Sequence, residues 1–145
     1  MHLSSFPLDD SLDLLVVSRS EAGDELRRRF RESHAFLVRG VLSKTTVVLD
    51  EDLLGEPWFT DAHLQTVLAH EYAHHLLGDA HGAGGREDER EADWLAHRIL
   101  VRRGEMSAAE LTEEMFTRRY HEAVADVDGE MLGKPHVRRV VTQFL

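Results

Sequence analysis

The sequence contains no cysteine, and its 145 residues include only three prolines and no long apolar run. The absence of cysteine excludes disulfides, cysteine-ligated zinc, iron–sulfur clusters and thiol nucleophiles, and it is compatible with a reducing compartment. The longest apolar runs, such as Leu14–Val17, are far too short to span a bilayer. The first ten residues, MHLSSFPLDD, have neither the basic nor the apolar segment of a secretory signal. We therefore expect a cytoplasmic protein that does not act at a membrane.

Basic residues are also scarce. The chain has 17 lysines and arginines against 27 aspartates and glutamates, which gives a net charge of −10 with the histidines neutral. Nucleic-acid binders and membrane-surface proteins depend on basic side chains, so we expect no nucleic-acid or membrane partner. Ten histidines remain, and without cysteine the metal chemistry open to this chain is that of imidazole and carboxylate ligands.

The hydrophobic pattern indicates one α+β domain over residues 1–145, in which a small, mostly antiparallel sheet is followed by helices. Residues 1–13 are polar and predict a loosely held leader. Three β-rich runs predict strands, at 14–17, 36–38 and 45–49, of which the last two suit a hairpin. The segment SRSEAGDELRRRFRES predicts an amphipathic helix that Ser18 or Ser20 could cap.

Three more helices are expected in the second half of the chain, at 60–77, 87–103 and 107–125. Gly78 is suited to end the first of them, and the glycine-rich segment after it must form a loop. The third opens with a capping-box pattern, from Ser107 to Glu110. The final segment HVRRVVTQFL suits either a helix or a strand.

The predicted helix 60–77 contains the motif H-E-x-x-H, from His70 to His74. Residues four apart project from the same face of a helix, so His70 and His74 can share one metal ion. Glu71 lies one step round the helix, where its carboxylate can reach a water on the open side of the metal. In that position it can take the proton of the water and deliver it to a leaving amine. The motif therefore predicts a catalytic metal site.

The acidic start of the next predicted helix offers a third ligand. A glycine-rich reversal can bring its first turns back over the two histidines, and Glu89 and Asp93 share one of its faces. We assign Glu89 as the third ligand, with Glu87 and Glu91 as local alternatives, and Asp93 as the acceptor that fixes the tautomer of a ligand histidine. Two histidines and one glutamate leave one position on zinc open for water.

The two motifs together, His70–His74 followed by Glu89-x-x-Ala92-Asp93, resemble those of the gluzincin metallopeptidases. Within that clan the chain is similar to the HtpX-like and minigluzincin peptidases, and to the ImmA/IrrE group of small intracellular metallopeptidases. The resemblance covers about residues 45–100, and Asp93 stands where the ImmA/IrrE proteins usually carry asparagine. It implies a zincin-like fold, a zinc cofactor and hydrolysis of a peptide bond in an intracellular protein or peptide.

Several alternatives stay open on the sequence alone. His81 is a second candidate for the third ligand, because metzincins place a histidine near this spacing, although Gly78 and His81 each come one residue late. Tyr120 and His121 are candidate stabilisers of an anionic transition state. A module that holds zinc without cleaving, and a latent enzyme blocked by residues 121–145 or by a second copy, are the competing functions. A homodimer is compatible with the sequence.

Overall fold

The computed structural model describes residues 12–18, 20–31, 33–38, 44–78 and 85–145. Within these residues the chain folds as an α+β domain, as predicted, with three strands and seven α-helices. The strands are β1 (Leu12–Val17), β2 (Ala35–Val38) and β3 (Thr45–Asp50). The helices are α1 (Asp24–Phe30), α2 (Glu51–Leu54), α3 (Asp61–Leu77), α4 (Gly85–Arg102), α5 (Met106–Tyr120), α6 (Asp128–Gly133) and α7 (Pro135–Phe144), and a 3₁₀ turn spans Val124–Val127.

The sheet is mixed rather than mostly antiparallel. Its order is β1-β3-β2, with β3 antiparallel to β2, as expected for the predicted hairpin, and parallel to β1. The connection through α1 takes the chain from one edge of the sheet to the other, so β3 returns into the gap between the first two strands. Strand β1 begins at Leu12, two residues before the predicted start, because Leu12 is buried and pairs with Thr45. The remainder of the predicted leader, residues 1–11, lies outside the described residues.

Each face of the sheet is covered by helix. On one face, Phe36 and Val48 pack with Phe30 of α1, and the two phenylalanine rings lie 5.4 Å apart. On the other face, Leu37 and Leu49 join the larger core around α3. The cap predicted for α1 was wrong: this helix begins after Gly23, because the chain first turns between Ser18 and Glu21.

Helix α3 lies at the centre of the helical part and packs against α4, α5 and the sheet. It begins and ends as predicted, with Thr60 as its N-cap and Gly78 in a left-handed conformation at its end. Trp94 of α4 and Phe116 of α5 are completely buried in the core around it. The two helices that follow the motif are thereby held against the motif helix.

The C-terminal helices depart from the predicted bounds. Helix α5 ends at Tyr120 rather than near residue 125, because His121 takes a left-handed conformation with φ of 57°. The predicted capping box is absent, since Glu105 is the N-cap and makes no side-chain bond there. The final segment is a helix, α7, with Pro135 in its first turn. In the described part of the chain, no helix combines the length and apolarity needed to cross a membrane.

Candidate metal centre

Helix α3 presents both histidines of the H-E-x-x-H motif on one face. The Nε2 atoms of His70 and His74 lie 3.2 Å apart, and their ring centroids are separated by 4.6 Å. The side chain of His74 is completely buried and that of His70 is 14% exposed. Burying a polar group is costly unless it has a polar partner. Two imidazoles placed side by side in the interior therefore indicate a functional site.

Glu89 completes the group from the first turns of α4. Its Oε2 atom lies 3.1 Å from Nε2 of His70 and 3.3 Å from Nε2 of His74. A tetrahedral zinc ion with bonds of about 2.0–2.1 Å separates its ligand atoms by about 3.3–3.4 Å. The three donor atoms are therefore spaced almost as the ligands of one such ion, and they form a group that could hold a metal.

The two acidic alternatives to Glu89, Glu87 and Glu91, are engaged elsewhere. Lys134 contacts Glu87, and it lies 2.8 Å from one carboxylate oxygen of Glu91. The other oxygen of Glu91 lies 2.7 Å from Nε2 of His136. In the part of the chain that the structure describes, the two motif histidines and Glu89 are the one group with the composition and spacing of a metal site.

Asp93 is held between three elements. Its Oδ1 atom lies 2.7 Å from Nδ1 of His70, on α3. Its Oδ2 atom accepts a 2.6 Å hydrogen bond from the Tyr120 hydroxyl and a 2.7 Å bond from Arg119, both on α5. Burial alone would raise the pKa of Asp93, but these partners lower it below its ordinary value. An ionised Asp93 accepts the Nδ1 proton of His70 and leaves Nε2 facing His74 and Glu89.

Glu71 is a buried acid beside this group, only 1% exposed. Burial raises the pKa of Glu71 to about 8, against the lowering effect of His70. For His70, burial lowers the pKa, but the bonds to Asp93 and Glu89 outweigh it and raise the pKa to about 10. Metal binding requires a neutral imidazole, and a cation nearby favours an ionised carboxylate. Glu71 therefore lies where a bound metal ion would favour the basic form of its carboxylate.

The remaining site predictions fall in different places. Tyr120 contacts the site through Asp93, as described. His121 is exposed one residue beyond α5, and its proposed role stays a prediction, as does that of Tyr120. His81 lies outside the described residues. The sequence did not indicate a role for Arg119, because no spacing shows which residue of α5 contacts Asp93. The one available signal was that a basic residue precedes the candidate Tyr120.

An open cleft of about 290 Å³ leads to the site. His70, Glu71 and Asp93 line it together with side chains from α5 and from the segment before α3. Most of the other lining side chains are apolar or aromatic. Of the three candidate ligands, His70 lines the cleft, so the cleft reaches the site at His70 and Glu71.

No protein-family model matches the chain, and no curated protein or solved structure matches it significantly. Neither a shared family nor a shared fold therefore assigns roles to these residues. The donor atoms, the buried Glu71 and the cleft are the features on which a function can be proposed.

Proposed function

We propose that the protein is a zinc-dependent metallopeptidase that hydrolyses a peptide bond in an intracellular protein or peptide. The observation that carries the proposal is the convergence of His70, His74 and Glu89, with distances of 3.1–3.3 Å between their donor atoms, beside the buried Glu71. The motif pair supports placement among the gluzincins, close to the ImmA/IrrE or minigluzincin and HtpX-like peptidases, with a zincin-like arrangement of sheet and helices.

The proposed ligands are one nitrogen from each histidine and the carboxylate of Glu89. Zinc is commonly bound by histidine and carboxylate ligands without cysteine. Three protein ligands leave one coordination position open, which is typical of catalytic rather than structural zinc sites. When bound, zinc supplies Lewis-acid polarisation of the substrate carbonyl and of the attacking water. Asp93 contacts Nδ1 of His70, which would leave the Nε2 atom to bind the ion.

Glu71 is the proposed general base and acid. Its carboxylate takes a proton from the attacking water and then delivers it to the nitrogen of the departing amine. Burial raises the pKa of Glu71 to about 8 in the metal-free site, and a bound metal ion would lower it from there, so that the carboxylate would be ionised and ready to take the first proton near neutral pH. A proton carrier whose pKa is far from the working pH would perform one of the two transfers poorly.

The test is the substitution Glu71→Gln, which keeps the shape of the side chain and removes its basicity. We expect cleavage of an unfolded protein substrate to fall by about 10²–10⁴-fold, while bound zinc, measured by elemental analysis, stays at the wild-type level. Glu110→Gln, on the exposed surface of α5, is the matched control and should leave both quantities unchanged.

Two outcomes would contradict the proposal in different ways. Full cleavage by the Glu71→Gln protein would show that Glu71 is not the proton carrier. A wild-type protein that holds zinc at these ligands but cleaves no protein or peptide would instead favour a silent zinc-binding module. Loss of zinc in a Glu89→Ala variant would check the ligand assignment independently of activity.

A further inference from the structure

We propose that the cleft takes an extended peptide segment and selects a large apolar side chain, held by Trp58 and Leu111, about three residues from the bond to be cleaved. This inference rests on the proposed peptidase function, and it names the class of substrate that the site would take.

The floor of the cleft runs along one face of α3. His63, Val67 and His70 all line it, at intervals of one helical turn. With a rise of about 1.5 Å per residue, the seven residues from His63 to His70 span about 10 Å. An extended peptide covers this length with about three residues, at about 3.3 Å each. The end of the cleft at His63 is therefore about three substrate residues from the metal ligands.

A second wall is a face of α5, which packs against α3 and approaches the metal centre in the same direction. Leu111, Met115 and Arg119 line the cleft, again one turn apart, and Arg119 is bonded to Asp93. Leu111 thus lies about 12 Å along its helix from the residue at the metal end. Along both walls the charged groups gather beside the ligands, whereas the far end carries the apolar side chains of Trp58 and Leu111 beside His63.

Trp58 gives the far end its specificity. Its side chain is 58% exposed, although it is the largest apolar side chain of the lining. Edge-on contacts to Phe59, with centroids 5.7 Å apart, and to His63, at 5.5 Å, hold the indole against the start of α3. A fixed, exposed aromatic ring offers a large apolar contact at little cost in side-chain entropy. This ring suits a leucine or phenylalanine side chain of a substrate.

The size of the cleft favours a short extended segment over a folded protein. Its volume of about 290 Å³ is just below the ~300–1,000 Å³ usual for small-molecule sites. Such a space holds a few residues of chain with one large side chain. Met115, between the two ends, is an unbranched side chain that can adapt to different neighbours.

The first experiment is cleavage of a randomised peptide library by the zinc-loaded protein, with the cut sites identified by mass spectrometry. We expect leucine, phenylalanine and methionine to be enriched at one fixed position about three residues from the cut. The Trp58→Ala and Leu111→Ala variants should each weaken this enrichment by about tenfold, the scale of burying one large apolar side chain. The control variants Phe144→Ala and Met106→Ala alter exposed apolar side chains outside the cleft and should keep the enrichment.

The second experiment measures binding without cleavage. Zinc-loaded Glu71→Gln protein is titrated with fluorescent polar peptides that carry either a single leucine or a serine in its place. We expect the leucine peptide to bind about tenfold more tightly, and Trp58→Ala to remove the difference while leaving the serine peptide unaffected.

The two experiments separate the inference from the function beneath it. Cleavage with no apolar preference, or with a preference that Trp58→Ala does not change, would overturn the inference and leave the peptidase standing. Selective binding of the leucine peptide without any cleavage by the wild-type protein would support the apolar site and overturn the peptidase. If the protein neither binds nor cleaves any peptide, both are wrong.

Discussion

Asp93 links the candidate ligand His70 to helix α5. One of its oxygens faces Nδ1 of His70, and the other accepts hydrogen bonds from Arg119 and Tyr120. A carboxylate with two donors behind it has little freedom to rotate, so the imidazole in front of it is fixed as well. Arg119 and Tyr120 therefore act as positioning residues for the candidate ligand His70, through their bonds to Asp93.

Removing the Tyr120 hydroxyl should weaken metal binding. We expect Tyr120→Phe to raise the dissociation constant for zinc by about tenfold, because loss of a group that orients a ligand costs about 10–100-fold. Asp93→Asn should cost at least as much. Competition with a chromophoric chelator at constant pH measures both values.

A double substitution tests whether the effect passes through Asp93. In an Asp93→Ala background, Tyr120→Phe should change the zinc affinity no further, because the hydroxyl has lost its acceptor. Equal effects of Tyr120→Phe in both backgrounds would show that Tyr120 acts on the site by another route.

At the scale of elements, the sequence predicts most reliably what the chain decides locally. Helix α3 has both its boundaries marked, by Thr60 and Gly78, and its histidines share a face because of helix geometry alone. Glu89 could be proposed as a ligand because the next predicted helix begins shortly after α3 and has an acidic first turn, and α4 does pack against α3. The three donor groups of the candidate site could therefore be named without a structure.

What the sequence did not show depends on contacts between distant segments. The short helix α6 and the early end of α5 were missed, because short helices are set by tertiary packing rather than by propensity. The parallel pairing of β1 with β3 could not be predicted, because it depends on the path that the chain takes across the sheet. The contact between Arg119 and Asp93 depends on how α5 packs against α4. No spacing of residues in the sequence indicates that arrangement.

The start of α4, which carries Glu89, is tied to the C-terminal helices by ion pairs. Arg90 is nearly buried and contacts Glu130 at 2.6 Å and Glu122 at 2.9 Å. Lys134 contacts Glu91 on the same turns of α4. The segment after α5 therefore braces the turns from which Glu89 reaches the two histidines.

Substitution of Arg90 should loosen this brace. We expect Arg90→Met to lower the free energy of unfolding by about 1–3 kcal/mol, because the charged hydrogen bonds to partly exposed carboxylates are lost, and also to weaken zinc binding. Arg28→Met is the matched control: Arg28 pairs with Glu25 on the exposed surface of α1, and its loss should cost less than about 0.5 kcal/mol. If urea unfolding shows the same loss of stability for Arg90→Met and Arg28→Met, the Arg90 ion pairs do not stabilise the start of α4.

For the whole molecule, the net charge of −10 and the ion pairs act in opposite directions as the pH falls. Protonating exposed carboxylates relieves the repulsion among excess negative charges. Protonating paired carboxylates removes interactions that the unfolded chain lacks. Burial would raise the pKa of Glu91, but Lys134 and His136 lower it, and the hydrogen bond from Arg90 lowers the pKa of Glu130.

The direction of the acid response follows from these two pKa values. Both acids have an ordinary pKa of 4.5 and a lower one in the folded protein, so their contribution to stability is complete above pH 4.5 and is lost as the pH falls through the folded values. From the loss of these two interactions we expect the Tm to fall steeply below pH 4.5. Glu91→Gln should lower the Tm at pH 7 and make its fall in acid shallower, whereas Glu114→Gln, on the exposed face of α5, should change neither. If the wild type and Glu91→Gln lose stability in acid with the same slope, the Glu91 ion pairs do not contribute to the stability of the folded protein.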